Sequence, residues 1–263
     1  MRDAMYLDRF FEGDASAAGC IRCRDAADLD LPLRMAFQPI VDAAARQVFG
    51  YEALVRGPDG EGAGWVLERV DDAGLYTFDQ TCRVLAIDTA ARLGLAGMLS
   101  INFMPNAVYE PAACIRLTLA AAAKVGFPVE RLMLELTESE RIRDADHALG
   151  ILAEYRKRGF VTAIDDFGAG YSGLALLAQC QPDVVKLDMG LVRGIEAAPS
   201  KRAIVAGVLS TCRELGCRVI AEGVETRAEY GQLRTLGIDL FQGYLIARPA
   251  LEALPEPDWA ALD

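Results

Sequence analysis

The sequence predicts an α/β barrel, a closed and mostly parallel sheet of eight strands wrapped by helices, with one antiparallel strand near its start. Three observations predict it. Apolar strand-like runs alternate with helical stretches down the chain, the pattern of parallel strands joined by crossover helices. The first two runs are separated by a turn too short for a crossover, which makes that pair antiparallel. Polar side chains recur at the ends of successive runs, and in a parallel barrel those ends gather on one rim.

Met35-Ala-Phe-Gln-Pro-Ile-Val41 reads as the first strand, Asp42 to Gln47 as the turn and Val48 to Arg56 as the second strand. Helical stretches near Gly64 to Ala73 and Phe78 to Leu93 precede a strand at Met98 to Phe103. Further strands fall at Arg131 to Thr137, Val161 to Asp165, Asp183 to Lys186, Arg218 to Ala221 and Asp239 to Phe241. Between them run helices at about Ala107 to Lys124, Ala145 to Arg158, Lys201 to Leu215 and Arg227 to Leu236. Residues 1–30 lack a sustained period and read as an N-terminal extension with room for a short helix, ahead of one domain over residues 31–263.

Composition narrows the chemistry. With 263 residues, 52% of them hydrophobic, the chain is long enough for one large core. Its formal net charge of −11 argues against long DNA or RNA as a partner, because backbone affinity comes largely from Lys and Arg replacing counterions. A small anionic ligand stays compatible with an acidic pocket if bound metals invert the local field. No apolar run is long enough to span a bilayer, and Met1 to Phe11 carries Arg2, Asp3, Asp8 and Arg9 where a signal peptide needs an apolar core, so a cytoplasmic protein without a membrane partner is expected. Seven scattered cysteines fit reduced thiols better than a disulfide framework. Cys20 and Cys23 form the one local pair; they read as surface thiols, with a zinc site completed by another chain as the alternative. His147 is the only histidine, which removes Ser-His and Cys-His catalysis and multi-histidine metal centres. It follows Asp144 and Asp146 near a helix start and is assigned to the surface.

The most informative stretch is Val161 to Gly173, where an apolar run stops at Asp165-Asp166 and passes into Phe167-Gly168-Ala169-Gly170-Tyr171-Ser172-Gly173. Side chains alternate across a strand, so these adjacent carboxylates reach one site only where the backbone begins to turn. Two like charges that close tolerate each other when a cation lies between them, and hard divalent ions prefer carboxylate oxygen. The competing reading is an acidic turn capping the next helix. Glu52, Asn102, Glu135 and Glu138, Lys186 and Asp188, Glu222 and Gln242 stand at the other strand ends, so the rim offers the oxygen ligands of a two-cation site.

These residues spell an ordered series: Phe37-Gln38-Pro39-Ile40-Val41, Tyr51-Glu52-Ala53-Leu54-Val55-Arg56, Asn102, Glu135-Leu136-Thr137-Glu138, Asp165-Asp166-Phe167-Gly168-Ala169-Gly170-Tyr171-Ser172, Lys186-Leu187-Asp188, Ala221-Glu222-Gly223-Val224-Glu225 and Gln242-Gly243-Tyr244. From about Leu31 to Leu251 the chain resembles the EAL-domain cyclic di-GMP phosphodiesterases. The resemblance implies a modified TIM (β/α)8 barrel with an antiparallel first strand, and hydrolysis of cyclic di-GMP to linear pGpG with two Mg²⁺ or Mn²⁺ ions. It implies Glu52, Asn102, Glu135 and Asp165 as ligands of one metal, and Asp165, Asp166 and Glu222 around the second. Lys186 would orient the attacking water or accept its proton if its pKa is depressed; otherwise it is a buried stem paired to Asp188. Glu222 is a ligand with base character, Arg56 a phosphate clamp, and Gln38, Asp188 and Gln242 contacts to the nucleotide. The resemblance also implies a homodimer whose interface communicates with the loop Phe167 to Gly173, through Gly168, Gly170, Tyr171 and Ser172. Glu138 would anchor that loop or cap the following helix, and control by a regulatory protein partner stays open. The rival readings are a cyclic di-GMP receptor without turnover and a protein-interaction scaffold.

Overall fold

The structure, a computed structural model, describes residues 6–11, 31–137, 145–170 and 173–263. Its centre is a closed barrel in which β1 (Arg34–Asp42), β2 (Gln47–Arg56), β3 (Met98–Phe103), β4 (Leu132–Thr137), β5 (Val161–Phe167), β6 (Val184–Leu187), β7 (Arg218–Ala221) and β8 (Leu240–Phe241) follow one another around the wall. The pairs from β2–β3 to β7–β8 are parallel, while β1 closes the ring antiparallel to both β2 and β8. A two-residue strand, β9 (Ala250–Leu251), pairs with the other half of β1 at Ala36 and Phe37. The expected architecture is therefore present, hairpin included.

Period-two alternation divides the strands between two cores. Leu132, Leu134 and Leu136, then Ile164, Val185 and Leu187, Ala221 and Phe241 face outward into the large apolar layer beneath the helices. Ile40, Met133, Ala163, Val184, Ile220 and Leu240 face inward and plug the barrel with a second, smaller apolar cluster. Two residues further towards the same end of the barrel, roughly 7 Å along each strand, the inward positions turn polar: Gln38, Glu135, Asp165, Lys186, Glu222 and Gln242. The apolar plug is the floor on which a polar site stands.

The wrapping helices include α1 (Tyr6–Phe10), α2 (Leu75–Arg92), α3 (Arg116–Val125), α4 (Ala145–Lys157), α5 (Gly173–Cys180), α6 (Met189–Val192), α7 (Pro199–Leu215) and α8 (Arg227–Leu236). The expected helix over Gly64 to Ala73 is shorter, spanning Ala63–Leu67. The one expected over Ala107 to Lys124 starts later, with Pro111 at its first position, and is divided at Ile115 into Pro111–Cys114 and α3. Helices α5 and α6 were not expected; α6 follows β6 after the single capping residue Asp188, and α5 starts at Gly173, so a cap and a glycine rather than periodicity mark their starts. Chain exit from β7 is held by a capping box: Thr226 Oγ1 accepts from the Glu229 N–H at 3.2 Å and Glu229 Oε2 accepts from the Thr226 N–H at 3.0 Å. His147 departs from its surface assignment, being half-buried on α4 with Nε2 against the Val108 carbonyl. All five described cysteines are free thiols, four of them buried, in line with the reduced reading; Cys20 and Cys23 lie outside the described residues. Among the described residues no helix is long and apolar enough to cross a membrane.

Candidate metal centre and active site

Lys186 is the centre of the polar layer. It rises from β6 fully buried, with its Nζ 2.7 Å from Glu135 Oε2, 2.6 Å from Glu222 Oε1, 3.0 Å from Asp165 Oδ1 and 3.6 Å from Glu52 Oε2. Four strands thus bring four carboxylates to a single ammonium, Glu52 from within β2 and not, as expected, from its end. Glu52 is further held by Asn102 Nδ2, which donates to Oε1 at 2.9 Å, and by Gln242 Nε2, which donates to Oε2 at 2.7 Å. Gln242 also reaches Gln38 Oε1 at 3.2 Å, and Gln38 Nε2 donates to the Ala247 carbonyl at 3.0 Å. Ser100, which the sequence reading passed over, donates to Glu135 Oε1. Its signal was present: Ser100 precedes Asn102 by two and therefore shares its face of β3.

The acids fall into two groups that share one member. Oxygens of Glu52, Glu135 and Asp165 lie within 4.8 Å of one another, and so do oxygens of Asp165, Asp166 and Glu222. Neighbours Asp165 and Asp166 serve the same mouth because β5 is irregular there. Its register against β6 shifts between Ile164 and Phe167, and Asp166 adopts a left-handed φ of 53°. The strand thus continues one residue beyond the pair instead of stopping at it. Behind the bulge Gly168, at φ 101°, lets the loop pass close to α6; a Cβ there would lie 2.5 Å from Leu191 Cδ1.

Burial governs the electrostatics. Desolvation, followed by the charges of Glu52 and Asp165 and opposed by Lys186, pushes the Glu135 carboxyl up to about 8. Desolvation and the Asp165 charge push Asp166 up to about 6, and Glu222 rises well above the carboxylate range for the same two causes. Burial alone would lower Lys186, yet the four surrounding carboxylates outweigh it and hold the ammonium well above its ordinary value. The depressed lysine pKa on which a base role depended is thus absent, and the partners of Lys186 are these four acids, not Asp188. This donor set suits hard divalent cations. It consists of carboxylates plus one amide, it carries excess negative charge, and the buried Asp165 Oδ1, though 3.0 Å from the ammonium, has no hydrogen-bonding partner.

Two expected ligand contacts, Arg56 and Asp188, stand apart from this cluster. Arg56, at the rim end of β2, is half-buried and donates from Nη1 to the Val55 carbonyl at 2.7 Å. Asp188 caps α6 by accepting from the Gly190 N–H at 2.7 Å. Gln38 and Gln242 are buried props of Glu52. In the outer wall a cavity of about 370 Å³ between β2, β3 and α2 shares only Asn102 with the acids and is otherwise nearly apolar.

Residues 26–249 match the family model described as the EAL domain. The chain belongs to the EAL domain family. Among solved structures, this EAL domain is 49% identical, with a TM-score of 0.86, to a standalone versatile EAL protein of Vibrio cholerae O395 in its c-di-GMP-bound form, over 89% of this chain and 99% of that one. BlrP1 of Klebsiella pneumoniae, in a complex with manganese and cyclic di-GMP, is 34% identical with a TM-score of 0.81, over 96% of this chain and 68% of that one. Among curated relatives, the blue light- and temperature-regulated antirepressor BluF of Escherichia coli K12 is 34% identical over 85% of this chain and 56% of its own length. The cyclic di-GMP phosphodiesterase NbdA of Pseudomonas aeruginosa is 31% identical over 86% of this chain and 30% of its own. This EAL domain thus spans about half or less of these curated relatives. Of its loop after β5, Phe167 is buried and Gly168 and Gly170 are exposed; Tyr171, Ser172 and Glu138 lie outside the described residues.

Proposed function

We propose that this EAL domain is a metal-dependent phosphodiesterase that hydrolyses cyclic di-GMP to linear 5′-pGpG. The observation that carries the reading is the pair of acid groups joined at Asp165. Recognition of a nucleotide alone gives no reason to crowd carboxylates around one ammonium in a buried site, because their desolvation and mutual repulsion oppose folding. A pair of divalent cations offsets both. The cyclic di-GMP in the Vibrio and Klebsiella structures, the manganese in the latter and the phosphodiesterase name of NbdA support the substrate and ion class.

Glu52, Asn102, Glu135 and Asp165 would hold one ion, and Asp165, Asp166 and Glu222 the other, with Mg²⁺ or Mn²⁺ as the metal. Such a pair, when bound, makes hydroxide available near neutral pH and offsets charge developing at phosphorus. Lys186, whose ammonium lies among the carboxylates of the site, is placed to orient the attacking water at its centre. Glu222 serves in this reading as a ligand with base character. Gln38 and Gln242 keep Glu52 aimed inward, as does Asn102. Arg56 exchanges the Val55 carbonyl for a phosphate of the substrate through its planar fork of donors. Asp188, close enough to Asp166 to raise its pKa, accepts from a guanine N–H or ribose hydroxyl. Residues 31–263 form the catalytic unit in this reading, working as a cytoplasmic homodimer that the loop after β5 and a protein partner can regulate.

Incubating the purified protein with cyclic di-GMP and Mg²⁺ or Mn²⁺ and separating the nucleotides tests the reading. Linear pGpG is expected. Tight binding without product would make the chain a receptor, and absence of nucleotide binding would make it a scaffold.

A further inference from the structure

Outside the barrel, α2 buries an ion pair that the chemistry above does not use. Asp79 and Arg83, one helical turn apart, are 2% and 0% exposed, and Arg83 Nη2 lies 2.5 Å from Asp79 Oδ2. Gln80 Nε2 donates to the same Asp79 oxygen at 3.1 Å, and Arg83 Nη1 donates to the Tyr155 hydroxyl of α4 at 3.1 Å. The pair is a poor stabilising device. Arg83 Nε is buried without a hydrogen-bonding partner and Nη2, despite its proximity, lacks hydrogen-bond alignment to Asp79. A buried pair of this kind is commonly replaceable by packed apolar side chains at no loss of stability.

What the pair does grip is the exit of β3. Asp79 Oδ1 accepts from the backbone N–H of Met104 at 2.9 Å. The Arg83 guanidinium lies 5.4 Å from the Phe103 ring centroid and 5.7 Å from that of Tyr155, and those two rings meet edge to face at 5.4 Å. Phe103 and Met104 are the two residues that follow Asn102. Asn102 in turn donates to Glu52, so the two residues beyond one proposed metal ligand are pinned from outside the wall.

We propose that the Asp79–Arg83 pair is a positioning element that holds Asn102, and through it Glu52, in the geometry of the cation site. The inference rests on the metal-dependent reading above and deepens it. Asp79 fixes the backbone beyond Asn102 by a charged hydrogen bond, and Arg83 holds the intervening ring by a cation–π contact. Apolar replacements would fill the same space without holding either.

The test compares wild type with Asp79→Leu/Arg83→Met, which removes the backbone acceptor and the guanidinium, and with Asp79→Asn/Arg83→Met, which keeps an acceptor for Met104. Mn²⁺ affinity is measured by titration calorimetry, alongside thermal unfolding and the KM and kcat for cyclic di-GMP. The Leu/Met variant should unfold cooperatively yet bind Mn²⁺ at least tenfold more weakly, with kcat reduced more than KM is raised, and the Asn/Met variant should recover part of the affinity, remaining about threefold weaker than wild type. A folded Leu/Met variant within twofold of wild type in Mn²⁺ affinity overturns the inference. If that variant does not fold, Arg83→Lys decides: it keeps the charge and loses the guanidinium that lies over Phe103 and donates to Tyr155, so Mn²⁺ affinity should fall at least threefold, and unchanged affinity refutes the role. Failure of wild type itself to bind Mn²⁺ would instead sink the metal-dependent reading.

Discussion

Replacing Lys186 by Met tests the electrostatic core of the site most directly. The substitution keeps an unbranched stem of similar volume and deletes an ammonium that lies 2.6–3.6 Å from four carboxylates. At an effective dielectric of about 20, one contact near 3 Å amounts to on the order of 5 kcal/mol of gross attraction. Desolvation of the ammonium and the flexibility of the acids cancel much of the sum, and breaking a buried ionic contact costs about 3–5 kcal/mol net. For a chain of this size, that corresponds to a fall in Tm of roughly 6–20 °C in metal-free buffer at pH 8. The loss should shrink at pH 5, where the orphaned acids take up protons, and on saturation with Mn²⁺, which supplies the missing positive charge. Scanning calorimetry with chelator and with Mn²⁺ at both pH values measures all four states. A metal-free variant melting within about 2 °C of wild type at pH 8 would refute the claim that Lys186 neutralises this cluster.

Three further outcomes follow from the same geometry. Glu52→Ala removes an oxygen ligand from the inward face of β2, whose outward neighbours stay packed, so pGpG formation should disappear while the far-ultraviolet spectrum is kept; undiminished hydrolysis would take Glu52 out of the mechanism. Glu135 is raised from 4.5 to about 8 and Asp166 from 3.8 to about 6. Groups with raised folded-state values contribute stability below their ordinary pKa and lose it as pH rises through the shifted one. The metal-free Tm should therefore decline from pH 5 to pH 8 and the stabilisation by added Mn²⁺ should grow over that interval; a Mn²⁺ shift independent of pH would contradict the shared burial of these acids. Gly243→Ala would place a Cβ 2.1 Å from the Val224 carbonyl oxygen, backbone against backbone, next to the Gln242 that props Glu52. It should destabilise by about 2–4 kcal/mol, in the upper range for overpacking and strain, and denaturant unfolding with an unchanged midpoint would show that the close approach is not needed.

The order of acids and the closed sheet were legible in the chain itself because both follow from short-range rules. Strand period places Met133 and Glu135, Ala163 and Asp165, or Val184 and Lys186 on one face, whatever the neighbours are. Parallel closure then carries every strand's C-terminal end to the same rim, so Asn102, Glu135, Asp165, Glu222 and Gln242 had to converge once the alternation was read correctly. The antiparallel β1 followed equally from the length of one turn. Helices α5 and α6 escaped because eight- and four-residue segments offer too few positions for a period, and Pro111, at a first helical position, set a later start to an apparently continuous helical pattern.

Charge state and support were decided only by the folded molecule. Nothing local to β6 says that Lys186 sits among four acids drawn from β2, β4, β5 and β7, so a depressed pKa and a raised one were equally open; long-range packing chose the raised one. The bulge that turns Asp166 towards the mouth depends on a register slip against β6, and the hold of Asp79 and Arg83 on the end of β3 depends on how α2 and α4 pack on the wall. Sequence period determines which side of an element a residue occupies, and thus which residues share the rim. Distances, desolvation and the company each charge keeps are sums over the whole fold, and they exist only once the barrel has closed.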